Sequence, residues 1–296
     1  MAYLYLAIAL LAGATKGYCG KLTSGKVSGW DGAMLSNLIR MLLCIAIGLG
    51  LVLVGGDLPG MRPDGKALAI YALSGISTSV FVVTWLVAVR TSAYVLMNVF
   101  LMLGVVVPMV LGSVCYGETI AWNQWVGLGV LLMATLILCS YNNGIKQKLD
   151  GKALMILLIS GVANGITGFS QKMFQKEVVD GAVSVFNFYT YVFSALSLGL
   201  ILLFTWKPRE ARSRLLEIKN VFGLVLILAV CLFLNSYFMT MAAAGIPSSR
   251  LFPLDRGVSI ILSGLMSAVF FKEKLTVKAV AGLVLAFIGL LVINLL

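Results

Sequence analysis

Apolar stretches of roughly twenty residues, the length a helix needs to cross the hydrocarbon layer, recur ten times along this 296-residue chain. They run about Ala2–Gly20, Ala33–Val54, Ala67–Val89, Tyr94–Tyr116, Gln124–Tyr141, Ala153–Phe174, Val183–Phe204, Val221–Ala244, Leu251–Phe271 and Val277–Leu296. Only 11% of residues are charged, against about a quarter in soluble domains. That argues against a water-soluble enzyme or a nucleic-acid binder. A membrane β-barrel would show alternating segments of about ten residues, and none are seen. The expected fold is all-α, a polytopic membrane protein of ten transmembrane helices.

The N-terminal stretch has no basic n-region and reads as an uncleaved first helix. The longest polar connection, Trp206 to Asn220, is basic and could lie along the membrane surface. No soluble domain is left over.

The chain also repeats itself. Shifted by 155 residues, Glu118 falls on Glu273, Gly127 on Gly282, Leu128 on Leu283, Leu136 on Leu291 and Ala88 on Ala243. The stretch edges coincide as well. Residues 1–145 and 146–296 then form two five-helix repeats. An odd number of crossings inserts the second copy from the opposite side, the inverted-repeat plan of many secondary transporters, whose substrate site lies between the halves.

The net charge of +11 marks loops held in the cytoplasm and not an affinity for nucleic acid. Connections 1–2, 3–4, 5–6, 7–8 and 9–10 share one side. They carry Lys21, Lys26, Arg90, Lys146, Lys148, Lys152, Lys207, Arg209, Arg212, Arg214, Lys219, Lys272, Lys274 and Lys278. The other side carries Arg62, Lys66 and Lys176. The charge count therefore places both termini outside.

Catalytic and metal-binding materials are scarce. There is no His, and the five Cys are scattered without a C-x-x-C pair, so neither a metal site nor a disulfide framework is expected. No G-x-x-x-x-G-K-[ST] loop is present to hold ATP phosphates. No cofactor is expected, and a membrane enzyme on lipid-linked substrates lacks its acid/base groups.

Polar residues three or four apart share a helix face, and a helix facing a cavity needs such a stripe. The second stretch gives Asn37, Arg40, Cys44 and Gly48; the third gives Ser74, Thr78 and Trp85. The sixth gives Ser160, Asn164, Thr167 and Gln171; the seventh, Ser184, Asn187, Tyr191 and Ser194. The ninth gives Arg256, Ser259, Ser263 and Ser267. Asn98 and Asn235 add to the fourth and eighth. The fifth and tenth stretches instead carry Gly127, Gly129, Gly282 and Gly289, and read as struts packed closely through small residues. Charges at membrane depth should face protein or water. Arg40 and Arg256 outnumber Asp255, the one acid inside a stretch. Lys16 and Lys172, nearer the ends, either snorkel to the interface or add positive charge to the cavity. Glu118 and Glu273 precede the fifth and tenth stretches and suit those helix N-termini. Candidate substrate-cavity residues are thus Asn37, Arg40, Trp85, Asn98, Asn164, Asn187, Tyr191, Asn235 and Arg256, with Asp255 as a coupling candidate.

Arg40, the run Ala88-Val89-Arg90-Thr91-Ser92-Ala93, Pro108, Gly117-Glu118 and Gly127 in one half, with Ala243, Pro247-Ser248-Ser249, Glu273 and Gly282 in the other, resemble the EamA-like ten-helix members of the drug/metabolite transporter superfamily. The resemblance spans the chain. It departs at Ser263, where the first copy has Pro108, and at Tyr191, near the position matching Arg40. It implies a multi-pass protein of the bacterial plasma membrane with cytoplasmic termini, which opposes the charge count. The first stretch lacks the Glu on which small multidrug resistance relatives rely, which speaks against proton/cation exchange of that type.

The function expected is secondary transport, by alternating access, of a small polar or amphipathic metabolite, with an anion or zwitterion favoured. A lipid translocator or a non-transporting partner subunit is the alternative. The partners expected are the solute, the lipid bilayer and a proton or exchange solute, with no nucleic acid.

Overall fold

The structure, a computed structural model, describes residues 1–23, 26–27, 29–89, 97–141, 151–205, 211–270 and 276–295. Among these residues the regular structure is helical, with no strand. The α-helices are α1 (Ala2–Thr23), α2 (Gly29–Gly55), α3 (Gly65–Val89), α4 (Met97–Gly104), α5 (Val106–Tyr116), α6 (Trp122–Tyr141), α7 (Gly151–Glu177), α8 (Val183–Thr205), α9 (Ala211–Asn220), α10 (Phe222–Gly245), α11 (Ser248–Phe270) and α12 (Val277–Leu295). A 3-10 turn at Leu58–Met61 precedes α3.

Nine segments among the described residues are long and apolar enough to cross a membrane, with α4 and α5 counted as one. The protein is an all-α polytopic membrane protein. Helix α11, which carries Arg250, Asp255 and Arg256, is not among the nine. The basic run Arg90 to Ala93, Lys146, Lys148, Lys207, Arg209, Lys272, Glu273 and Lys274 lie outside the described residues.

One stretch expected to be a single helix is interrupted. Pro108 has no N–H to donate to the Gly104 carbonyl and its ring crowds that oxygen, so the ladder breaks at Val105 between α4 and α5. The Val105 N–H bonds back to Met102 instead (3.1 Å).

The chain forms two compact units. Unit 1 comprises Met1–Val83 and Ser170–Ala244; unit 2 comprises Thr84–Phe169 and Gly245–Leu296. Each draws on both sequence halves, and α3 and α7 contribute to both units.

In unit 1, α2 packs along α8. Its core holds Val52, Ala67, Ile70, Tyr71, Phe174, Val185 and Phe186. The rings interlock: Phe174 stacks on Phe186 at 4.7 Å, and Tyr71 lies edge-on to Phe186 at 5.7 Å and stacks on Tyr189 at 5.5 Å. Of the two roles open to Lys172, snorkelling does not occur. Lys172 is 2% exposed, and its Nζ donates to the Ala243 carbonyl at 3.0 Å. Ala243 lies in the last turn of α10, where carbonyls lack intrahelical partners and favour a cation. Gln175, one turn on, donates to Thr240 O at 2.9 Å.

In unit 2, α6 and α12 pack together along their length. Lipid offers no hydrophobic drive for helices to associate, so close van der Waals packing has to supply it. Gly127 and Gly289 provide it: a Cβ on Gly127 would sit 2.4 Å from Ile293 Cγ1 and 2.8 Å from the Gly289 carbonyl oxygen. Gly282 packs likewise on Leu138. Gly129 faces open space, so it is not part of this contact, contrary to its grouping with the other three. Residues of α4 and α7 meet similarly, with a Cβ on Gly104 falling 2.2 Å from Gly161 O.

Candidate functional site

The polar side chains singled out in the sequence divide between the units. Asn37, Arg40, Asn187, Tyr191 and Asn235 belong to unit 1, and Trp85, Asn98, Asn164, Asp255 and Arg256 to unit 2.

Those of unit 1 join one connected cluster. One turn apart on α2, Asn37 Oδ1 accepts a hydrogen bond from the Arg40 guanidinium, while Asn37 Nδ2 donates to Ala33 O at 2.8 Å. Arg40 lies in electrostatic contact with Cys44 and Tyr191. Tyr191 on α8 is 2% exposed, lies beside the Ser236 side chain and donates to Leu232 O at 3.3 Å. The Ser236 hydroxyl donates to Asn187 Oδ1 at 2.6 Å, and the fully buried Asn187 donates to Val183 O at 3.0 Å. Along α10, Asn235 donates to Ala9 O of α1 at 2.8 Å and accepts from Lys16 Nζ at 3.4 Å. Lys16 is thus held against the cluster by Asn235, the second of the two roles the sequence left open for it. One donor is left over: Arg40 Nε is sealed from solvent and has no hydrogen-bond partner.

The stripes are only partly polar lining. Gly48 packs on Phe188 and Phe233. Ser184 donates to Asp57, and Ser194 lies where a Cβ on Gly75 would collide at 2.9 Å with its backbone nitrogen. On α8, Ser184 serves a contact with the α2–α3 turn and Ser194 keeps a buried hydroxyl with no hydrogen-bond partner, while Asn187 and Tyr191 join the cluster. Ser236 and Cys44 belong to the cluster but were absent from the candidate set. Ser236 shares a helix with Asn235 and Thr240, yet only the tertiary fold shows that it faces Asn187.

Unit 2 holds a second, smaller arrangement. Arg256 on α11 donates to Asn164 Oδ1 of α7 at 2.6 Å. Its Nε lies 3.8 Å from Asp255 Oδ2, with both side chains mostly buried. Ser160, one turn before Asn164, has a buried hydroxyl with no hydrogen-bond partner. Trp85 and Asn98 are exposed, and no contact shown joins them to the Arg256–Asn164 pair. The side chains of Ser263 and Ser267 lie outside the description.

The N-terminus of α11, which carries Arg256, is held by Glu118. Gly117 adopts a left-handed conformation (φ 65°) that closes α5: its N–H bonds Ser113 O at 3.0 Å, and the Glu118 N–H bonds Gly112 O at 3.3 Å. Glycine takes this conformation without steric cost. After this turn, Glu118 Oε2 accepts the Ser248 N–H at 2.7 Å. The acid therefore caps α11, a contact the sequence reading did not anticipate. Among the described residues no group of three or more Cys, Asp or Glu side chains is arranged to hold a metal ion.

These features define the class: a helical, multi-pass membrane protein with polar side chains gathered around Arg40 in one unit and Arg256 in the other. The model of the EamA-like transporter family matches residues 151–295. That match, over the second half of the chain, supports the drug/metabolite transporter superfamily. A solved crystal structure is similar over 99% of this chain and 96% of its own, with a TM-score of 0.77 and 15% identity, a likeness of fold. No curated protein matches. The family is one of membrane transporters, so the coarse function is movement of small solutes across a membrane.

Proposed function

We propose that the protein is a secondary active transporter of a small polar or amphipathic metabolite, an anion or zwitterion, working by alternating access through a central cavity. In this reading the chain crosses the membrane ten times, as inverted repeats 1–145 and 146–296, in the bacterial plasma membrane. Asn37, Arg40, Trp85, Asn98, Asn164, Asn187, Tyr191, Asn235 and Arg256 contact the solute, and Asp255 couples transport to a proton. The supporting observation is the Arg40 guanidinium. Its charge is held by a neutral amide, and its Nε has no partner. A buried donor left unpaired costs about 1–3 kcal/mol, which a solute carboxylate or phosphate would recover with a charge-assisted bond.

The test uses purified protein and a panel of metabolite anions, zwitterions and organic cations. A ligand specific to the native state raises the unfolding temperature. The expected result is that stabilisation by anions or zwitterions occurs and is lost in Arg40→Gln. If every solute whose effect depends on Arg40 is a cation, the substrate assignment is wrong.

A further inference from the structure

One cavity in unit 1 takes no residue of the Arg40 cluster. It measures about 580 Å³, within the usual range for small-ligand pockets. The turn between α2 and α3, the first two turns of α3, and the α7–α8 connection line it. Its wall carries four carboxylates, Asp57, Asp64, Glu177 and Asp180, against one cation among the lining residues, Arg62.

Three of the carboxylates already have structural tasks. Asp57 accepts the Ser184 hydroxyl, Asp64 Oδ1 caps α3 at the Ala67 N–H (2.7 Å), and Glu177 pairs with Lys66. Asp180 differs. Among the described residues no hydrogen bond or ion pair reaches it, and its backbone sits at φ 55°, which turns it at the α7–α8 connection.

An independent observation comes from Tyr71. It is 2% exposed, and its ring is fixed between Phe174, Phe186 and Tyr189. The neighbouring Tyr189 donates its hydroxyl to Met61 O at 2.8 Å. No hydrogen bond is made by the Tyr71 hydroxyl, and its oxygen is not among the sealed polar atoms that lack partners. Helical side chains lean toward the N-terminus, which directs Tyr71 from α3 to the cavity it lines. A buried tyrosine normally finds a partner for its hydroxyl.

We infer that this cavity is a binding site for a small solute carrying a protonated amine. An ammonium group has three donors and no acceptor, which suits the Asp180 carboxylate and the Tyr71 oxygen. Ala67, Val178 and Val185 offer an apolar wall for the body of the solute. The site is separate from the Arg40 cluster and does not depend on the function assigned to it.

The experiment measures binding of 2-phenylethylamine to the purified full-length protein, by calorimetry and by shift of the unfolding temperature. Its neutral isostere 2-phenylethanol and the anion 3-phenylpropionate serve as comparisons. The amine is expected to bind and the other two are not. Asp180→Asn keeps the residue size and tolerates a left-handed backbone; it should weaken amine binding roughly tenfold, the loss of a charge-assisted bond. Tyr71→Phe keeps the packed ring and should weaken it roughly threefold or more. Arg40→Gln should leave amine binding unchanged, which separates this site from the proposed solute path. Equal binding of amine and alcohol, no amine binding at tens of millimolar, or amine affinity unchanged in both Asp180→Asn and Tyr71→Phe would overturn the inference.

Discussion

Glu118 offers the sharpest test of how the fold positions Arg256. Its carboxylate takes the Ser248 N–H at 2.7 Å from a point 130 residues earlier in the chain, and α11 then presents Asp255 and Arg256 two turns on. Two effects act at that contact. A side-chain cap is worth about 0.5–2 kcal/mol, and the negative charge at a helix N-terminus adds about 0.3–1 kcal/mol when partly exposed. Glu118→Gln keeps an acceptor oxygen and loses the charge, for about 0.5–1 kcal/mol. Glu118→Ala also leaves the Ser248 N–H unpaired, for about 1–3 kcal/mol in total. At about 2–4 °C per kcal/mol for chains of this order of length, unfolding should fall by a few degrees in the first variant and by up to about ten in the second. Gly112→Ala attacks the same contact from the other side, because its Cβ would lie 2.8 Å from both Glu118 Oε2 and Ser248 Oγ. The assay is thermal unfolding of purified protein in one detergent, read by intrinsic tryptophan fluorescence. The order wild type, Gln, Ala is required. If Glu118→Ala unfolds at the wild-type temperature, the carboxylate is not what holds the start of α11.

Three further outcomes are expected. Lys172→Met should lower stability by about 1–2 kcal/mol through loss of the cation at the end of α10, while Lys172→Arg should retain most of it; thermal unfolding compares the two. Gly127→Leu should cost about 1–3 kcal/mol or more by forcing α6 and α12 apart, whereas Gly129→Leu, facing open space, should be nearly neutral in the same assay. Asp255→Asn should flatten the pH dependence of solute uptake into proteoliposomes if Asp255 carries the coupled proton; an unchanged profile removes it from that role.

Hydropathy made the spanning helices legible because lipid demands long apolar runs, but it under-read helices that continue into polar sequence. The sixth stretch ends at Phe174 by hydropathy, yet α7 continues to Glu177, and its polar end is anchored by Lys172 and Gln175 on the last carbonyls of α10. Periodicity showed which residues share a face but not what that face meets. Hence Ser184 and Ser194 looked equal to Asn187 and Tyr191 until the fold set Ser184 against the α2–α3 turn and left the buried Ser194 hydroxyl without a hydrogen-bond partner. The amine cavity was invisible for the same reason. Asp57, Asp64, Glu177 and Asp180 stand in two connections more than a hundred residues apart, and each alone reads as an ordinary loop charge.

Arg40 and Arg256 show what the polar clusters accomplish together. A carboxylate partner would neutralise a guanidinium as well as hold it. Arg40 is held by Asn37, and Arg256 takes its short bond from Asn164, with Asp255 farther off at 3.8 Å. An amide oxygen fixes the plane of the guanidinium while leaving its full charge in place. At membrane depth an uncompensated charge is expensive, so a purely structural arginine would be better served by an acid. Replacing Asn37 or Asn164 with Asp provides that acid at the same position and nearly the same size. The expected result is equal or higher thermal stability in both variants, together with loss of anion-dependent stabilisation in Asn37→Asp, since an internal carboxylate would occupy the guanidinium that the solute needs. If Asn37→Asp instead binds anions as well as the wild type, Arg40 is a structural residue and the solute path lies elsewhere.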